Sequence, residues 1–147
     1  MKKLFFILLI PSLSLIFNSC TKSASASIDV TAAITYQLVA GTYKTTSIVA
    51  KDNSSGSQFD LYAQMSSCQK DDTEILSPDG TYYYVDAGTK CNPIGDSTGS
   101  WTLNANKITI GSINASIQSY DGQNLVVTYT QTNGSSTYTV TQKFVRQ

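Results

Sequence analysis

Residues 68–91 read CQKDDTEILSPDGTYYYVDAGTKC, a hairpin signal with a cysteine on either side. Within it Ser77-Pro78-Asp79-Gly80 predicts a tight turn. Pro78 presets φ for the first turn position, and Gly80 can take the left-handed conformation that closes a three-residue loop. Ser77 then faces Thr81, and counting back along both arms brings Cys68 and Cys91 within a residue of register at the open end of one ribbon. That placement favours a disulfide. Closing a 24-residue loop stabilises a fold by roughly 3 kcal/mol on the chain-entropy account.

Outward from this ribbon the code is β. Thr, Tyr, Val and Ile dominate after Gly41, in short runs separated by turn residues. The pattern predicts eight strands, at 42–50, 72–77, 81–86, 98–103, 107–110, 113–119, 124–131 and 136–146. Asn133-Gly134 is a hairpin turn signal, and a register through it sets Tyr129 opposite Tyr138 and Val127 opposite Val140. Leu125, Val127, Tyr129, Tyr138, Val140 and Phe144 then share a core face, while threonines line the other. Asp121-Gly122 turns the sixth strand into the seventh. Consecutive hairpins with one apolar face each must pack as two sheets or close on themselves. The expected fold is all-β, a single eight-stranded antiparallel up-and-down β-barrel, which leaves no open edge.

The N-terminus carries an address. Lys2 and Lys3 precede the apolar run Leu4–Phe17, followed at once by Asn18-Ser19-Cys20, the order of a secretory leader. A run of fourteen residues is too short for a comfortable permanent span. Cys20 sits where a lipoprotein signal peptidase would leave it as the new, acylated N-terminus. The expected organisation is a signal peptide over 1–19, a lipid-anchored flexible linker over 20–33 and a barrel domain over 34–147. Ile34, Tyr36 and Leu38 suit a short helix closing one end of the barrel. Without Lys2 and Lys3, eight basic residues face ten acidic ones. No basic patch remains, so no nucleic-acid partner is expected. A monomer is expected.

The residues also carry a resemblance. Val39-Ala40-Gly41-Thr42-Tyr43-Lys44, Cys68-Gln69-Lys70-Asp71-Asp72, Asp79-Gly80-Thr81, Cys91 and Thr98-Gly99-Ser100-Trp101 together resemble the lipocalin-like domain lipoproteins of Gram-negative cell envelopes, over about Leu38 to Arg146. The resemblance implies a small lipocalin-type barrel on a lipid anchor, in the outer membrane of a Gram-negative bacterium. Lipocalins carry Gly-x-Trp at the first strand, with an arginine of the last strand across the indole. Here the pair would be Tyr43 and Arg146, closing the barrel by a cation–π contact; the alternative is a solvated terminal arginine.

The composition excludes much chemistry. With no histidine, Ser-His-Asp and Cys-His catalysis and His-based metal sites are ruled out. No catalytic residue, metal or cofactor is expected. Asp71, Asp72, Glu74 and Asp86 gather around the hairpin and read as solvated residues beside Lys70 and Lys90, with paired-carboxylate glycoside chemistry as the remote alternative. Asp52-Asn53-Ser54-Ser55-Gly56 lacks the spacing of a calcium loop.

What remains is a cavity. In a strand, Tyr82 and Tyr84 fall on one face and Tyr83 on the other. Leu76 opposes Tyr82, so that pair faces inward. Tyr82, Tyr84, Trp101 and Tyr129 are therefore candidate ligand contacts, or plain core filling. The long segment Lys51–Lys70, with Phe59 and Tyr62, is a candidate lid over the mouth. The expected function is a lipid-anchored envelope protein holding a small hydrophobic or amphipathic ligand without catalysis. The alternative is an interaction module or inhibitor whose packed barrel contacts a protein or glycan through its loops.

Overall fold

The computed structural model describes residues 34–147. The expected leader, Cys20 and the linker lie outside the described residues. A four-residue helix α1 (Tyr36–Val39) leads into β1 (Gly41–Asp52). The remaining strands are β2 (Gln58–Asp60), β3 (Thr73–Leu76), β4 (Thr81–Val85), β5 (Ser97–Asn104), β6 (Lys107–Ile110), β7 (Ile113–Tyr120), β8 (Asn124–Asn133) and β9 (Ser136–Arg146). Antiparallel neighbours run β1-β3-β4-β5-β6-β7-β8-β9, and β9 returns to β1. Those eight strands close into an up-and-down barrel. The ninth, β2, pairs only with residues 49–51 of β1; short helices α2 (Leu61–Gln64) and α3 (Ser67–Lys70) follow it. The stretch expected to be an irregular lid is thus a small structured flap.

The Ser77–Thr81 turn is as the sequence predicts. The Ser77 amide donates to Thr81 O at 2.9 Å, the Gly80 amide to Ser77 O at 3.0 Å, and Gly80 has φ +87. Leu76 pairs with Tyr82, and Tyr83 is turned out to solvent. At the open end Cys68 and Cys91 are bonded, with Cα atoms 5.3 Å apart. Cys68 sits on α3 rather than on a strand extension.

The last hairpin departs from expectation in register. Asn133 pairs with Ser136, so Gly134 and Ser135 form the loop; Tyr129 faces Val140 and Val127 faces Gln142. The turn places Gly134, with φ +59, at its first central position, a place that a glycine fills without steric cost. The expected pairing is off by two residues. A slip of two preserves side-chain parity, so the expected inner face is the observed one. Two bulges do change parity: the register shifts between Thr45 and Ser47 on β1 and between Ile117 and Ser119 on β7. Beyond them Ala50 and Tyr120 are buried. An extra residue bends its strand, which helps a sheet curl shut.

One end of the barrel is a solid floor. Val39, Tyr43, Leu76, Trp101, Ile108 and Leu125 are each at most 2% exposed. Trp101 stacks on Tyr36 with ring centroids 4.3 Å apart and donates its indole N–H to Ser77 O at 2.8 Å. The helix α1 leaves carbonyls without intrahelical partners, and the floor supplies donors. The Tyr43 hydroxyl donates to Val39 O at 2.6 Å and the Tyr120 hydroxyl to Leu38 O. Arg146 Nη2 donates to Leu38 O at 2.7 Å, Ala40 O at 2.6 Å and the Tyr43 hydroxyl at 3.2 Å. Its Cζ lies 5.5 Å from the Tyr43 ring centroid. Arg146 therefore packs over Tyr43 and ties the end of α1 to β9. Gly41 makes room for it, since a Cβ there would lie 3.0 Å from the guanidinium.

Arg146 reaches all three acceptors through Nη2, at the end of a planar group longer and stiffer than the lysine side chain. Arg146→Ala should cost about 2 kcal/mol, the scale of hydrogen bonds to a charged group, and lower the thermal midpoint by roughly 5–10 °C. Arg146→Lys should recover only part of that loss in a calorimetric scan. A full recovery would mean that charge, not the reach of the guanidinium, holds α1.

Candidate functional site

Above the floor the inner face borders a half-open cavity of about 300 Å³, with the β6–β7 turn at Gly111 and Ser112 on its rim. Its wall is mostly apolar, from Ile110, Ile113, Ala115, Val127 and Phe144. Three tyrosines line it as well. Tyr82 and Tyr84 come from alternate positions of β4, and Tyr129 from β8. Burial pushes all three hydroxyls above the ordinary phenol range, so they remain protonated donors. Of the expected ligand contacts, Tyr82, Tyr84 and Tyr129 are brought together here. Trp101 does not line the cavity; it is locked into the floor by Tyr36 and Ser77.

Sequence reasoning missed the central polar residue. Glu74 pairs with Tyr43 on one side and Tyr84 on the other, and its side chain faces the cavity. Oε1 accepts from the Thr45 hydroxyl at 3.1 Å and Oε2 from the Tyr82 hydroxyl at 3.2 Å. Glu74 is not the solvated residue its acidic neighbours suggested. A signal was present, because Glu74 has the strand parity of Leu76. Burial pushes its carboxyl above the ordinary glutamate range, against the pull of the two hydroxyls.

The other hairpin carboxylates are also not solvated. Asp86 is fully buried and accepts from the amides of Cys91, at 3.2 and 3.1 Å, and Gly95, at 3.0 Å. Asp72 is buried too, taking the Tyr84 hydroxyl and the Ala87 amide. Asp71 takes the Thr89 amide at 2.9 Å. These three hold the irregular segment from Ala87 to Asp96 in place of a strand ladder. Asp72, Asp86 and Cys91 offer ligand atoms within 4.8 Å of one another. The sulfur is committed to the disulfide and the carboxylates to N–H and O–H donors, so the cluster reads as a structural clamp. Asp52 likewise caps its own turn: a hydroxyl bond from Ser54, with amide bonds from Ser54 and Ser55, holds its carboxyl down at about 2.

A second, shallower space of about 300 Å³ lies at the mouth, between the flap and the tip of the last hairpin. Phe59 lines it and meets Tyr138 edge to face at 6.2 Å. Tyr62 lies beside it on α2, under Lys70, whose Nζ is 5.3 Å from the ring centroid.

The raised Glu74 carboxyl has a stability consequence. Between the ordinary glutamate value, about 4.3, and the raised one, the folded chain holds a proton that the unfolded chain has released. Stability from this residue is complete below that window and falls as pH rises through it. Asp79 and Asp121, lowered by turn hydrogen bonds, act in the opposite sense, so the comparison must be with a variant. Glu74→Gln should gain thermal midpoint relative to the natural protein as pH rises from about 4.3 toward neutrality. Parallel pH profiles would overturn the assignment.

Comparison with known proteins bears on this geometry in one way. The family model of the lipocalin-like domain matches residues 35–144. No curated protein and no solved structure matches the chain. A lipocalin-like barrel suggests small-ligand binding in general, in keeping with an internal cavity above a packed floor. The matched span runs from α1 almost to the end of β9, so the chain belongs to the lipocalin-like domain family.

Proposed function

We propose that this protein is a lipid-anchored binding protein of the cell envelope, monomeric and non-catalytic, which holds a small hydrophobic or amphipathic molecule in its barrel. The observation that carries the reading is the cavity of about 300 Å³, walled by apolar side chains and three tyrosines. Cavities of about that size are at the small end of those that take ligands. A packed interaction module would have needed Tyr82, Tyr84, Trp101, Tyr129 and Phe144 to fill the interior. Trp101 is spent on the floor and Phe144, 4% exposed, packs in the core against Tyr43, while the three tyrosines border open space. The anchor rests on the leader and Cys20, the outer-membrane address on the resemblance to lipocalin-like domain lipoproteins, and the disulfide is consistent with an oxidising compartment.

The flap is the entrance in this reading. Replacing Phe59 and Tyr62 by serine should weaken uptake of an apolar fluorescent probe at least several-fold. Phe59 is 43% exposed and outside the core, so the thermal midpoint should stay within a few degrees. A collapsed midpoint with unchanged probe binding per folded molecule would make the flap part of the core. Absence of uptake by the natural protein would overturn the ligand reading itself. For the anchor, Cys20→Ser should abolish metabolic labelling with palmitate; unchanged labelling would refute lipidation at that residue.

A further inference from the structure

We propose that the cavity is built for a ligand bearing a protonated amine, seated on Glu74 among the rings of Tyr82, Tyr84 and Tyr129. The inference rests on the cavity being a small-molecule site and adds the charge of its occupant.

The hydrogen bonds around Glu74 favour its ionised form, which burial alone disfavours. The Thr45 hydroxyl receives Gln142 Nε2 at 3.0 Å, so its own proton is free to point only at Glu74 Oε1. The Gln142 amide is oriented for that, with its oxygen toward the Tyr129 hydroxyl at 3.5 Å. Tyr82 donates to the other carboxylate oxygen. A donor aimed at each oxygen fits a carboxylate. A carboxylic acid would have to turn its own O–H against one of them.

Among the described residues no cation lines the cavity beside that carboxylate, and the only other polar side chains there are hydroxyls and the Gln142 amide. A desolvated anion without a cation is costly, and two neutral donors offset the cost only in part. A ligand cation would remove it. The walls suit such a cation, because the faces of tyrosine rings attract ammonium groups. Ile110, Ile113, Ala115, Val127 and Phe144 would take the apolar body. An anionic head group would instead meet Glu74 as a like charge, with no basic residue to receive it. The chemistry therefore selects amphipathic amines over alcohols of the same length, and both over carboxylates.

Isothermal titration of the purified protein near neutral pH with octylammonium, octan-1-ol and octanoate tests this with one tail and three head groups. Octylammonium should bind at least about ten-fold tighter than octanol, the low end for a charge-assisted contact, and octanoate should be weakest. In Glu74→Gln, which keeps the side chain's volume, the amine and the alcohol should come within about two-fold of each other. Octanol or octanoate binding the natural protein as tightly as the amine would overturn the charge assignment while leaving the cavity reading intact. So would an amine preference that survives in Glu74→Gln. If none of the three binds, the cavity reading falls and this inference with it. The ranking on the natural protein decides the matter even if the variant does not fold.

Discussion

Closure of β1 on β9 is the constraint on which the rest depends. The two strands pair from Tyr43 with Arg146 to Asp52 with Tyr138, and without that ladder the sheet would be open with two long edges. Closure also decides what the interior can be. An open sheet has one face to cover, whereas a closed one has a lumen whose contents are set by the inward residue of each strand. The bulge on β1 permits it: by inserting one residue after Thr45 it bends the strand and swaps which residues point inward. Tyr43 and Thr45 then serve the lower lumen, and Ala50 and Asp52 the upper.

The lumen is divided by side-chain size and by hydrogen bonding. Below, Tyr43, Trp101 and Tyr120 fill the space, and their polar tips are taken up by main-chain carbonyls of α1 and the hairpin turn. Buried tyrosine and tryptophan require such partners, and a short helix and a turn folded against the floor are a ready source. Above, the tyrosines have longer leads. Tyr84 spends its hydroxyl on Asp72 and Tyr82 on Glu74, so their rings line a space instead of filling it. The same class of residue thus builds a floor in one layer and a wall in the next.

The acidic residues show a similar split. Asp72 and Asp86 substitute for a β ladder where the chain between β4 and β5 has none. Each accepts hydrogen bonds from main-chain amides that no strand pairing satisfies. The disulfide holds the same segment from its other side, through Cys91. Glu74 differs because its partners are hydroxyls and it faces the cavity. It is the one carboxylate lining that cavity, and the balance between burial and two neutral donors leaves it the most responsive group there.

The sequence by itself determined the strand number of the barrel, its hairpins, the disulfide and the inner face of most strands. These are local matters: turn chemistry at Ser77–Thr81 and Asp121-Gly122 closes neighbouring strands, and period-two alternation sorts Leu125, Val127 and Phe144 inward from Thr128 and Thr141. Even the misplaced last turn left the inner face correct, since two residues of slip change partners and not sides. Tertiary structure decided what alternation cannot carry. The bulges at Thr45/Ser47 and Ile117/Ser119 come from the curvature of the closed sheet, so the burial of Ala50 and Tyr120 was not legible from a regular pattern. The flap strand exists only because β1 outruns β3 and leaves residues 49–51 an edge to pair. The fate of the carboxylates was hidden for a related reason. Charge marks a residue for solvent on average, and only the arrangement of donors from other segments, the Thr45 and Tyr82 hydroxyls for Glu74, the Cys91 and Gly95 amides for Asp86, makes burial affordable.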